Sequence, residues 1–396
     1  MRFAFTEEQD ELRRSVRRVL DAAGGIAAAR RAAQAPEVRG ASSGNGGHDA
    51  TLWKTLAREL GLAGLAVPER HGGAGLGWVE VIGVMEEMGR TLAPVPFLSS
   101  SVLATAALLS CGTEDQQAAI LPPLARGDVT ATLAWLEVGG HADPASITTT
   151  ARPAPGGHVL LDGRKRFVLD GHAADLLLVV ARDPGTTGAS GLALYEVPAG
   201  ASGLRRHRLP TMDATRALAE VVLSDVRVPA ASRLGDASSS TGGWPAIARA
   251  LARGHVALAA EQVGGAQRCL DLGVEYAKVR HQFGRPIGSF QAIQHNLAEL
   301  FVLVESARSA AYYAGWAADH ATDDEADETA ACAAAFCADA FFHCAAETIQ
   351  VHGGIGFTWE HDAHLYFKRA RAGKTLLGTP ADHRESIARR IFEETR

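Results

Sequence analysis

Apolar residues recur at helical spacing at the start of the chain, where Leu12, Val16, Val19 and Leu20 follow Thr6 and, three residues after it, Gln9. A Thr that can accept from the third amide of a helix, with a Gln reaching back, forms a capping box, so this run predicts a first helix. From Pro36 to Asp49 (PEVRGASSGNGGHD) the periodicity is lost and Gly and Ser dominate, which predicts a mobile loop. Helical spacing returns over Leu52–Leu60, Trp78–Arg90 and Ser101–Ser110. After Asp128 the period shortens: Ala131–Val138, Ile147–Ala151, Asp175–Val180 and Leu192–Val197 are β-rich runs separated by turns such as PAPGG and DPGTTGAS. Beyond the loop Gly235–Gly243 the chain is Ala-rich and helical almost to its end, broken around Gly284–Gly288 and Gly353–Gly356. This order predicts an α+β chain with an N-terminal helical domain (1–127), a central β-barrel or sandwich (128–240) and a C-terminal helical bundle (241–396).

Composition narrows the partners. The net charge of -6 over 396 residues, with both signs interspersed, leaves no basic stripe, so no nucleic-acid partner is expected. The opening MRFAFTEEQDELRR has no apolar core after Arg2, and no run of about 18 apolar residues is evident, so neither a signal peptide nor a membrane span is expected. The five cysteines are sparse and odd in number, which fits a reducing, cytoplasmic setting. Cys332, Cys337, His343 and Cys344 invite a metal reading, but their steps of five, six and one along a single helix scatter the side chains, and no metal site is expected. The acidic run Asp319–Glu328 reads as a solvated connection.

Two C-terminal blocks carry chemistry. In RHQFGRPIGSFQAIQHNLAEL (Arg280–Leu300) a helix reaches Arg280, breaks at Gly284 and Pro286 and restarts, gathering a cation, an amide and an aromatic ring at one corner. The planar fork of Arg280 suits a phosphate, and Gln291 can donate to an anion or a heterocycle. In QVHGGIGFTWEHDAHLYFKRA (Gln350–Ala370) a helix runs into Gly353-Gly354-x-Gly356, either a plain helix stop or a turn that a ligand approaches closely.

Together the two blocks resemble the acyl-CoA dehydrogenase family, whose FAD pyrophosphate is gripped by an Arg-x-x-Phe-Gly turn and a Gln-x-x-Gly-Gly turn from a neighbouring subunit. The resemblance extends to FTEEQDELRR, to LGLAGLAVPERHGGAGLG (Leu60–Gly77) and to LDGRKRFVLDGHAADLLLVVAR (Leu161–Arg182). It implies FAD contacts at Arg280, Phe283, Gln291, Gln350, Gly353, Gly354 and Thr379, an aromatic near the flavin at Phe167, and a homo- or hetero-oligomer with shared sites. It also implies an acyl-CoA thioester as substrate and an electron-transfer acceptor protein.

One implication fails in the sequence itself. The family takes the α-proton with a carboxylate, often in a Tyr-Glu-Gly-Thr turn, and here that turn reads Leu376-Leu377-Gly378-Thr379. A second family location for the base falls at Gly254. Substitutes within reach are His255, Glu261 and Arg253, each with an ordinary structural role as the commoner alternative. Where the family often offers a hydroxyl near the flavin ring, this chain has Leu136 and Leu169. Three readings stay open: a dehydrogenase whose partner supplies the glutamate, a flavin monooxygenase of the same fold, and a catalytically silent subunit.

Overall fold

The computed structural model describes residues 5–34, 48–137, 139, 143–235 and 243–394. The expected loops at Pro36–Asp49 and Gly235–Gly243 fall mostly outside the described residues, as does Val138. The helices of the first half are α1 (Glu7–Ala22), α2 (Ile26–Gln34), α3 (Ala50–Lys54), α4 (Trp78–Thr91), α5 (Thr105–Cys111) and α6 (Glu114–Ala125). Those of the second half are α7 (Trp244–Val279), α8 (Gln291–His320), α9 (Asp323–His352), α10 (Ala363–Gly373) and α11 (Pro380–Glu394). Thr6 closes the capping box on α1 with Gln9, and Thr113 does the same on α6 with Gln116.

The chain divides into two compact units. One, residues 1–31, 78–93 and 255–396, is helical. Its core gathers Ala266, Cys269, Leu300, Val304, Phe341 and Tyr366. Helices α4 and α7 cross where neither carries a side chain: a Cβ on Gly89 would lie 2.0 Å from the Glu261 carbonyl oxygen, and one on Gly264 would lie 1.9 Å from that of Glu86. The buried Glu86 carboxylate beside it is matched by Arg13 at 3.1 Å, by Arg308 and by the Tyr312 hydroxyl.

The segment Asp323–Phe357, α9 and the turn after it, is long and apolar enough to cross a membrane by length and composition, because alanine dominates it. Its apolar face is instead packed inside the unit, with Ala330, Ala333, Phe341, Cys344 and Ala345 buried.

The other unit, residues 32–77 and 94–254, holds a seven-stranded sheet. Its strands are β1 (Ala131–Ala134), β2 (Thr150–Ala154), β3 (His158–Leu169), β4 (Leu176–Arg182), β5 (Leu192–Pro198), β6 (Leu204–Arg208) and β7 (Leu218–Pro229). The order is β1-β4-β2-β3-β7-β6 with β5 paired to β4, so the central β domain takes the form of one mixed sheet. Leu161, Leu177, Val179, Tyr195, Val221 and Val226 fill its inner face. The buried segment Phe97–Ala104 winds in wide π-type turns, and its Ser100 hydroxyl accepts from the Ala131 amide at 3.1 Å.

Strand ends differ from the sequence expectation for a definable reason. The run Ala131–Val138 stops pairing at Ala134, beyond which the Trp135 and Leu136 carbonyls accept from Lys165 and the Arg166 amide; Ile147–Ala151 starts late, at Thr150, because the Thr148 and Thr149 amides donate to the Glu137 carboxylate rather than to a neighbouring strand. The long strands β3 and β7 and the short β6 are not marked by apolar runs, since charged residues occupy their outward positions.

Candidate active site

The Arg280 corner is built by a tight hairpin. α7 ends at Val279, and the two-residue strands His281–Gln282 and Arg285–Pro286 pair across Phe283 and Gly284. Both turn residues have positive φ, 52° and 79°, the signature of a type I′ turn. Glycine adopts that conformation freely; phenylalanine does so under strain. Yet Phe283 is 90% exposed, its ring edge-on to Phe290 at 6.0 Å. Arg280 and Gln291 are exposed as well, and among the described residues no carboxylate is paired with Arg280.

The glycine turn after α9 divides into roles. Gly353 has φ 60° and ψ -139°, a conformation closed to side chains, while a Cβ on Gly356 would meet the Ile349 carbonyl oxygen at 2.9 Å. Gly354 has neither constraint: it is exposed, and nothing lies within 4 Å of where its Cβ would be. Tyr276 joins the two blocks, because its carbonyl accepts from the Arg280 amide at 2.9 Å and its ring stacks on His352 at 4.3 Å. Gln350 is exposed at the end of α9. Thr379, in contrast, is committed within the chain, its hydroxyl donating to Asp382 at 2.7 Å to cap α11.

A third region surrounds the turn between α10 and α11. Leu377 is buried and has φ 63°, and its carbonyl accepts from His255 Nε2 at 2.9 Å. The His255 ring meets His383 edge-on at 4.6 Å, and a cavity of about 10 Å³, room for one water, lies between them and Leu258, Gln262 and Leu376. Burial, with His383 adding to it, pushes the His255 imidazole down to about 3. Glu261 is buried in an ion pair with Arg369 at 2.9 Å, and Arg253 is half-buried with its own partner.

A separate cleft of about 440 Å³ in the helical unit is lined by Arg17, Arg90, Arg268 and Tyr366 among others. Its guanidiniums are already matched, to Glu87 at 2.7 Å, Asp271 at 3.3 Å and Glu275 at 3.0 Å. Among the described residues no group of three or more His, Cys, Asp or Glu is arranged to hold a metal ion.

Three models of acyl-CoA dehydrogenase domains match the chain in order: the N-terminal domain over residues 6–128, the middle domain over 132–226 and the C-terminal domain over 241–392. The chain belongs to the acyl-CoA dehydrogenase family. It is 34% identical over 355 residues to acyl-CoA dehydrogenase IpdE2 of Mycolicibacterium smegmatis, covering 90% of this chain and 92% of that protein. It is similar to the solved ChsE4–ChsE5 complex of Mycobacterium tuberculosis, with a TM-score of 0.85 and 30% identity over 99% of both chains. A variant of the Tcur3481–Tcur3483 steroid ACAD aligns with a TM-score of 0.84 at 32% identity, covering 98% of this chain and 99% of that one.

Acyl-CoA dehydrogenases are FAD-dependent flavoproteins. The residues present fit that group on the helical unit: an exposed guanidinium, an exposed phenyl ring and a Gly354 that internal packing does not require. On the sheet unit, Phe167 is 40% exposed at φ 56°, Leu136 is half-buried and Leu169 is buried. The two positions at which the family resemblance leads one to expect a carboxylate carry Leu377 and Gly254. Of the substitutes, Glu261 is held in a structural pair and His255 is a weak proton acceptor with one nitrogen already committed. His383 and the buried Lys165 carry no signal in the sequence, since a charged residue on a strand ordinarily marks its solvent face.

Proposed function

We propose that this chain works as one subunit of an oligomeric, FAD-dependent acyl-CoA dehydrogenase in which a partner subunit supplies the carboxylate that removes the α-proton of the acyl-CoA thioester. The observation that carries the reading is a contrast: the Arg280–Gly354 edge faces outward and open, while the turn that holds the family's base is filled by Leu377 and tied down by His255.

Arg280 would hold pyrophosphate through its fork, with Gly353 and Gly354 allowing close approach and Gln291 and Gln350 donating. Phe167 would offer an apolar face to the ring system. When bound, FAD accepts the β-hydrogen as hydride and passes the electrons to an acceptor protein. Leu377 has no group that can take a proton. His255 stays neutral, its Nε2 proton directed at the Leu377 carbonyl, so it steadies the turn instead of acting as a base. Likeness to the ChsE4–ChsE5 complex supports the oligomer, and likeness to the steroid ACAD points to a bulky acyl group.

A second reading, a silent subunit that completes a partner's site, is favoured by the same sealed turn. Dye-linked oxidation of acyl-CoA thioesters separates the two. Activity confined to the assembled enzyme and lost with Arg280→Ala in this chain supports the flavin-holding role. Full activity in the isolated chain contradicts the partner carboxylate, and assembled activity indifferent to Arg280→Ala leaves only the silent reading.

A further inference from the structure

The sheet unit contains a fully buried ion pair that neither the fold's hydrophobic core nor the site above accounts for. Lys165 has no exposed surface, and its Nζ lies 2.6 Å from Glu137 Oε1 and 3.3 Å from the Trp135 carbonyl oxygen. The Glu137 carboxylate, itself 6% exposed, takes four more hydrogen bonds. They come from the Thr148 amide at 2.8 Å and hydroxyl at 2.5 Å, and from the Thr149 amide at 3.0 Å and hydroxyl at 2.6 Å. Burial alone would raise this carboxyl, but Lys165 and the threonines outweigh it and hold it down to about 2; burial pushes the Lys165 ammonium down to about 8. A pair so enclosed gains little net stability over apolar residues of the same shape, which asks for another reason for its presence.

That reason lies two residues along the chain. In a regular strand Lys165 and Phe167 would share a face. Here β3 pairs with β7 at Lys165↔Val221 and next at Val168↔Ala219, with an irregularity between them at Arg166 and Phe167. The bulge turns Phe167 outward at φ 56°, a conformation that a phenylalanine rarely adopts, and leaves the interior to Lys165. The Arg166 amide then donates to the Leu136 carbonyl at 2.8 Å. The segment 135–137 is thus stitched to the bulge at three successive residues: Trp135 and Glu137 to Lys165, and Leu136 to Arg166.

We infer that Glu137 and Lys165 are positioning residues for the flavin-facing edge, holding Phe167 in its outward, left-handed conformation and fixing Leu136 beside it. The flavin half of this inference rests on the function proposed above; the conformational half stands on the chain alone.

The test uses the full chain with Lys165→Met, with Phe167→Leu, and with both. Because a lone buried carboxylate can prevent folding, Glu137→Leu/Lys165→Met serves as a second variant that removes both charges. In the flavin-free chain, hydrogen exchange at the Arg166 amide is expected to lose protection in the Lys165 variants while the rest of β3 keeps it. With FAD added, about tenfold weaker binding and an altered visible circular dichroism band are expected from Lys165→Met, with no further change in the double variant. Retained Arg166 protection in the Lys165 variants overturns the inference, as does an unchanged flavin spectrum and affinity in a variant that still binds FAD. If the unaltered chain takes up no FAD, the proposed function fails instead, and the exchange measurement alone decides the conformational claim.

Discussion

His255 Nε2 donates to the carbonyl oxygen of Leu377 across 2.9 Å, joining the middle of α7 to the turn that precedes α11. The carbonyl can only accept, so Nε2 carries the proton and the tautomer of the neutral ring is fixed. This bond ties together the two places at which the family resemblance leads one to expect a base, Gly254 beside the donor and Leu377 as the acceptor.

Burial of His255 sets a pH dependence, which the bond to Leu377 partly opposes. His255 is pushed down to about 3 in the folded chain from the ordinary histidine value of 6.5, so below about pH 6.5 the unfolded chain takes up a proton that the folded one refuses. Stability is therefore complete above that pH and declines as pH falls towards 3. His383, His352, His361 and His364, each lowered chiefly by burial, act in the same direction. Melting temperatures followed downward from neutral pH are expected to fall, and to fall less steeply in His255→Gln. An equal slope in both proteins would show that His255 is not buried in its neutral form.

Leu377→Glu puts a carboxylate back into the turn. Burying it is expected to destabilise the fold by about 1–3 kcal/mol. In return the variant, purified alone with FAD, is expected to bleach when an acyl-CoA thioester is added, whereas the unaltered chain does not. Absorbance followed under anaerobic conditions reads the difference, and a variant that folds, binds FAD and never bleaches would place the missing base elsewhere.

The glycines of the turn after α9 separate internal packing from ligand contact. Gly356→Ala is expected to lower the melting temperature, because its methyl meets the Ile349 carbonyl and His352. Gly354→Ala meets nothing in the chain and is expected to leave stability within about 0.5 kcal/mol while weakening FAD retention or subunit association. Unaltered FAD retention and assembly in Gly354→Ala would reduce the motif to a helix stop.

Glu261 and Arg369 form a buried pair, so Glu261→Leu alone is expected to cost about 3–5 kcal/mol by stranding the guanidinium. Adding Arg369→Leu should return most of that stability. Activity of the assembled enzyme should follow stability; a stable double variant without activity would reinstate Glu261 as the base.

Much of this was legible in the sequence. The Arg280 and Gln350 blocks could be found because glycine and proline mark their turns whatever surrounds them. Leu377 could be set against the family's expected base position because Gly353 and Thr379 bracket it closely in the chain. The fate of Glu261 was not legible, because its partner Arg369 lies 108 residues away and only folding brings them together. Nor was the Glu137–Lys165 pair: charged residues on a strand ordinarily mark its solvent face, and here a bulge reverses the facing of Phe167 and Lys165. The strand start at Thr150 was misjudged because the Glu137 carboxylate took the Thr148 and Thr149 amides that propensity assigns to the sheet.

The central claim is that this chain presents a flavin-binding edge but no base of its own, and the visible spectrum of the chain purified alone, loaded with FAD and titrated anaerobically with acyl-CoA thioesters, tests it most directly. The account predicts a flavin spectrum that stays oxidised until a carboxylate-bearing partner subunit is added. Bleaching of the flavin in the isolated chain would contradict it and show that a residue of this subunit removes the proton.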